Sequence, residues 1–264
     1  MKVVNIDGQL GRQMFQYAFF LAIKAKFKNA HMTGKQFLPA TVFNHLQNAD
    51  FTIQKMILPW QNNPYKNFTI INEPADKSFS KNIIDNSPEN AIFKGEWLSY
   101  KYFDNIENQI RDSFKFTSPL PLNHSALLQN IASAVNETVS MHVMANNKST
   151  CTPDYYNWAV ANINTFVPDA AFTVFTDNLR WTKKNITGLP AGTIFTDCND
   201  MPPSTMIRLM SAANHTIISS TLQDWWAAYL NNNPDKIIIA PQRWNNTCTP
   251  PDLLPMHWTL IPVT

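Results

Sequence analysis

Lys2-Val-Val-Asn-Ile-Asp-Gly-Gln-Leu-Gly-Arg-Gln-Met-Phe-Gln-Tyr-Ala-Phe19 decides how the chain reads. A short β-branched run enters a turn with two glycines and leaves it as a long segment of helical apolar period. That is the pattern of the first corner of a Rossmann-like domain. The chain has six glycines, and Gly8 and Gly11 both fall in this turn, where the missing Cβ lets backbone N–H groups come close to a ligand. A nucleotide or nucleotide sugar suits such a corner. G-x-x-G is nonetheless shorter than the dinucleotide fingerprint, and a strand-to-helix turn also takes glycine merely to turn. Met14, Ala18, Leu21, Ala22 and Ala25 share one helical face and Gln13, Gln16, Lys24 and Lys28 the other, which predicts a helix packed on a sheet by one side.

Outward from this corner, 264 residues with 44% hydrophobic and 12% aromatic content suffice for two compact domains of ordinary size. A formal net charge of +2, with Lys and Arg scattered along the chain, gives no reason to expect nucleic acid as a partner. No tripartite leader opens the sequence and no stretch approaches the ~20 apolar residues that span a bilayer, so a cytoplasmic protein without a transmembrane segment is expected. Cys151, Cys198 and Cys248 are odd in number and lack C-x-x-C spacing, the mark of neither a disulfide framework nor a zinc site. No metal ligand set stands out.

Residues 29–90 carry short apolar runs broken by Asn and Pro, which suggests irregular α/β structure with long loops that could shape an acceptor cleft. A helical period returns from Phe103 to Phe114. Thr117-Ser-Pro-Leu-Pro-Leu-Asn-His124 then has the composition of a domain junction, dividing the chain into 1–120 and 121–264. Beyond it helices and strands alternate. Helices are expected near 124–135, 154–164, around Met206 to Ala213, and 224–230; strands near 138–143, 171–176, 216–219 and 236–240. Such alternation predicts a second parallel sheet.

Gly8-Gln-Leu-Gly-Arg-Gln-Met-Phe-Gln-Tyr-Ala18 resembles the opening G-G-L-G-N-Q-M-F-Q-Y-A of the bacterial α-1,2-fucosyltransferases of glycosyltransferase family 11. Phe93-Lys-Gly-Glu-Trp-Leu-Ser-Tyr-Lys-Tyr-Phe-Asp-Asn-Ile-Glu107 is similar to that family's G-x-W-Q-S-x-K-Y-F-x-x-I-E segment. The run from Leu209 to Trp244 and the tail from Asp252 follow the same family. The resemblance implies a GT-B-like α/β architecture, two Rossmann-like parallel-sheet domains facing across a cleft. It also implies metal-independent, inverting transfer of fucose from GDP-fucose to the 2-hydroxyl of a terminal galactose, with no cofactor beyond the donor. The partners would be a nucleotide-sugar donor and an oligosaccharide acceptor, with peripheral membrane association if the acceptor is lipid-linked.

Ligands of parallel sheets collect at the carboxyl ends of strands, so the candidate residues are those that follow the expected strands. Gly8, Gly11 and Gln13 follow the first, with Asp7 and Arg12 beside them. His142, at the end of the 138–143 strand, leads into Met144-Ala-Asn-Asn147 where the family has H-V-R-R-G-D. The expected diphosphate cation is therefore missing, and loss of a preorganised donor of this kind costs about 10²–10³ in rate. Arg12 stands in the opening motif where the family has asparagine and either supplies that charge or points to solvent; Lys148 is a second candidate. Asp177 either reads the guanine edge or closes a turn. Ser220, Thr221 and Asp224 either receive the pyrophosphate at a helix N-terminus or cap that helix. Trp225 either stacks on the donor or packs in the core. His142 is either a cleft residue or a structural histidine, and it and Asp7 are the only candidates for the base. Three readings follow: an active fucosyltransferase, a non-catalytic nucleotide- or glycan-binding relative, and a transferase using another nucleotide sugar.

Overall fold

The computed structural model describes residues 1–46, 51–53, 65–145, 150–245 and 249–263. The chain forms two compact units, Met1–Ser118 with Pro250–Pro255, and Pro119–Thr249 with Met256–Thr264.

In the first unit, β1 (Lys2–Ile6) runs parallel between β2 (Ala30–Gly34) and β5 (Ala91–Lys94). β3 (Phe51–Ile53) lies outside β2 and β4 (Thr69–Asn72) outside β5. The helices are α1 (Leu10–Lys26), α2 (Leu38–Val42), α3 (Lys81–Asp85) and α4 (Glu107–Ser113). Strands β2, β3 and β4 thus come from the stretch expected to be irregular. They are three to five residues long, and β4 leaves Thr69, Ile70 and Asn72 exposed, so little period-2 signal is present to detect. Helix α1 buries far more than one stripe. Phe15, Phe19 and Phe20 are all at or below 2% exposure, and Phe19 stacks on Trp97 with ring centroids 4.0 Å apart. Gln13 and Gln16, expected on the solvent face, are buried too.

The second unit begins with α5 (Leu122–Ala132). Its strands are β6 (Thr138–Val143), β7 (Ala171–Thr176), β8 (Ile194–Asp197), β9 (His215–Ile217), β10 (Ile238–Pro241) and β11 (Thr259–Ile261). They pair in parallel in the order β11-β10-β9-β6-β7-β8. Helices α6 (Pro153–Phe166), α7 (Leu179–Asn185), α8 (Pro203–Ser211) and α9 (Leu222–Leu230) complete the unit. Every residue of β6 is buried, as a strand covered on both faces requires. β7 and β8 extend the sheet to one side of β6, then β9 returns to its other side. This is the doubly wound order whose ligands bind at the point where winding reverses, here between β6 and β9. Among the described residues no helix is long and apolar enough to cross a membrane.

Candidate sites at the two sheet switch points

At the β6/β9 switch point of the second unit, His142 Nδ1 donates to the carboxylate of Asp224 at 2.8 and 2.9 Å. The Ser219 amide donates to Asp224 Oδ2 at 2.9 Å, and the Ser219 hydroxyl donates to the same oxygen. Asp224 is wholly buried and His142 nearly so. Burial by itself disfavours the imidazolium, but the adjacent Asp224 charge and its hydrogen bond more than reverse this and push the His142 pKa up to about 10. The imidazole is therefore a cation at neutral pH, with its charge offset by Asp224. Its Nε2 faces Cys198 Sγ at 3.8 Å.

Helix α9 is capped by Thr221, whose side chain accepts from the Asp224 amide. In Thr221-Leu-Gln-Asp224 only half of a capping box forms: Thr221 takes the Asp224 amide, while the acid reaches past the cap to Ser219. Thr221 serves as the helix cap, whereas the Asp224 carboxylate is taken up by Ser219 and His142. The Asp224 carboxylate lies at the positive end of the helix dipole, with its charge balanced by the His142 imidazolium. Ser220 stays half-buried, its hydroxyl 3.0 Å from Thr150 Oγ1. Trp225 is fully buried, with one face stacked on Tyr229 at 5.0 Å and its edge against Trp226. Of its two alternatives this is the core position: the apolar run of α9 turns the indole inward, where its large area is worth more than at a wet surface.

Asp177, directly after β7, accepts the Ala145 amide at 2.8 Å. Its carboxylate holds the start of the segment following β6, and the Met144 amide donates to Tyr156 Oη. Asn146, Asn147 and Lys148 lie outside the described residues.

The switch point of the first unit lies at β1 and β5. Gly8 has φ +82°, and a Cβ there would come within 2.7 Å of Arg12 Cδ, so glycine is required by the turn and by the arginine folded over it. Gly11 is buried in the first turn of α1. The two glutamines explain their burial. Gln13 Nε2 donates to the Gly8 carbonyl and its Oε1 accepts from the Leu38 amide. Gln16 accepts from the Asp7 amide and donates to the Gly95 carbonyl, tying the ends of β1 and β5 together.

Arg12 is neither directed to solvent nor a free cation. Its guanidinium pairs with Asp7 at 2.6 Å and with Glu96 at 3.0 Å. Asp7 also accepts from Asn5 and Gln16, so its lone pairs are engaged, which is a poor condition for a base. Glu96 continues to Lys77 at 3.7 Å, and Lys77 to Glu73 at 2.9 Å. The Glu73 carboxylate, with its side chain 2% exposed, accepts the amides of Glu96 and Leu98 at 2.8 and 2.9 Å. Gripping two alternate amides forces the residue between them to turn, and Trp97 takes φ +58°, a strained value for a bulky side chain.

Sequence reading missed Glu73, Glu96 and Cys198 as site residues. Glu96 sits inside a quoted motif and could have been weighed, whereas Glu73 and Cys198 follow strands that carry too little pattern to be foreseen. Among the described residues no group of three His, Cys, Asp or Glu is placed to hold a metal ion.

Two solved structures share this architecture at 10% identity and TM-score 0.51. One is the ADP-heptose lps heptosyltransferase II of E. coli (99% of this chain, 90% of that one), the other a glycosyl transferase of family 9 from Veillonella parvula (100% and 87%). The fold is accordingly GT-B-like. In sequence the chain is 22% identical to the Escherichia coli O-antigen biosynthesis glycosyltransferase WbnK (90% of this chain, 93% of the relative). It is 24% identical to an Escherichia coli alpha-1,2-colitosyltransferase (92% and 91%) and 24% to the Mus musculus galactoside 2-alpha-L-fucosyltransferase Sec1 (91% and 67%). Residues 1–250 match the family described as Glycosyl transferase family 11, and with both sheets in place the chain belongs to that family and is a glycosyltransferase.

Proposed function

We propose that this glycosyltransferase moves L-fucose or a closely related sugar from a GDP donor to the 2-hydroxyl of a terminal galactose. Transfer would invert the anomeric centre without a metal, acting on a precursor of a surface polysaccharide. Relatives named for fucosyl and for colitosyl transfer support that donor class. The observation that carries the reading is the second unit's switch point, where β6, β9 and the first turn of α9 converge in a family-11 chain. There Ser220, Thr221 and the helix entrance suit a nucleotide diphosphate. His142 is held by Asp224 as a positioned hydrogen-bond donor rather than a base, since a nitrogen that is already protonated cannot take the acceptor's proton.

The test is release of GDP from GDP-fucose and GDP-colitose, with and without galactosides, in the presence of a chelator. Galactoside-dependent GDP release is expected, and its absence with both donors overturns the reading. A second reading has its own support. Met144 and Ala145 stand where the family pattern has arginines, as suits a relative that binds nucleotide without turnover. GDP binding with no GDP release selects it.

A further inference from the structure

We propose that Arg243 is the cation that grips the donor's diphosphate, supplying the charge that positions 144 and 145 lack; this rests on the GDP-sugar reading above. Register places it. Ile239 pairs with Ile217, and Ile217 with Met141. Two residues further on from these partners, Pro241 and Val143 end β10 and β6, and Ser219 lies two residues past the end of β9, the strand between them. Gln242-Arg243, Ser220-Thr221 and Met144-Ala145 therefore leave the sheet side by side. Thr150 fastens two of these tips together: its Oγ1 lies 3.0 Å from Ser220 Oγ and 3.1 Å from the Arg243 carbonyl oxygen. The Arg243 backbone is thus pinned to the residue that leads into α9.

The two described cations weighed for this role are spoken for. Arg12 is paired twice with carboxylates, and the His142 charge is offset by Asp224. Arg243 is exposed and its guanidinium forms no ion pair among the described residues. A planar guanidinium binds two phosphate oxygens at once. The amides of Leu222 and Gln223, which have no acceptor within α9, would meet the same group from the helix side. Asp224 and the His142 imidazolium neutralise each other in the interior, so this pair brings no net positive charge to the helix entrance and the diphosphate needs a cation from elsewhere.

Calorimetric titration of GDP and of guanosine into wild type, Arg243→Ala, Arg243→Lys and Arg180→Ala tests this. Arg180 is the fitting control, an exposed arginine in the first turn of α7 on the opposite side of the switch point. Arg243→Ala is expected to weaken GDP about ten- to hundredfold with guanosine affinity and melting temperature unchanged. Lysine should restore part of the loss, and Arg180→Ala should bind as wild type. GDP affinity in Arg243→Ala within twofold of wild type overturns the proposal, as does an equal loss for guanosine or a larger loss in Arg180→Ala. Wild type that binds neither GDP nor guanosine strikes down the donor reading itself.

Discussion

Replacing Asp224 with Asn removes the negative charge that keeps a buried imidazolium at the β6/β9 junction. The carboxylate accepts from His142, from the Ser219 amide and from the Ser219 hydroxyl, with no solvent access. Breaking a buried ion pair on one side costs about 3–5 kcal/mol. Proton linkage gives a similar figure: a rise from 6.5 to about 10, at about 1.4 kcal/mol per tenfold in proton affinity, amounts to roughly 5 kcal/mol. The sign follows from the direction. The folded state holds the His142 proton more tightly than the unfolded chain, so the stabilisation is complete below about pH 6.5 and is lost as pH rises towards 10. Urea unfolding from pH 6 to 10 should show wild type some 3–5 kcal/mol more stable than Asp224→Asn at pH 6, with the gap closing as pH climbs. Cys198→Ala, run in parallel, isolates the other titratable group that touches the ring. A gap below about 1 kcal/mol at pH 6, or one that stays constant to pH 10, would falsify this account of the pair.

Gly8→Ala should cost about 1–3 kcal/mol, since φ +82° is strained for any Cβ and the new methyl would displace Arg12; thermal melting reads the loss, and an unchanged melting temperature refutes the turn geometry. Glu73→Ala leaves the Glu96 and Leu98 amides without their acceptor and should destabilise the first unit by about 2–4 kcal/mol. Hydrogen exchange at those two amides should accelerate, and continued protection would count against the role given to Glu73. Trp225→Phe should retain nucleotide affinity while losing stability, and Trp225→Ala should cost about 3–5 kcal/mol. A Trp225→Phe protein that melts like wild type but binds GDP poorly would restore the indole to the donor site.

The sequence by itself determined the class of fold and the ends of its best strands. Thr138 to Val143 and Ala171 to Thr176 are legible because strands buried on both faces are rich in apolar and β-branched residues, with Ser140 and His142 the exceptions in β6. The Gly8 turn is legible because it needs glycine. What only tertiary structure decided is what each polar residue pairs with. Periodicity assigns Gln13 and Gln16 to solvent, yet both are buried because their amides satisfy main-chain groups at the ends of β1 and β5 and at Leu38, partners up to 79 residues away. Arg12 looks like a spare cation until Asp7 and Glu96 are seen on either side of it, and Asp224 looks like a helix cap until His142 arrives from 82 residues away. A side chain's charge and hydrogen-bonding capacity are written in the sequence, but which partner answers them depends on distances that only the folded chain sets.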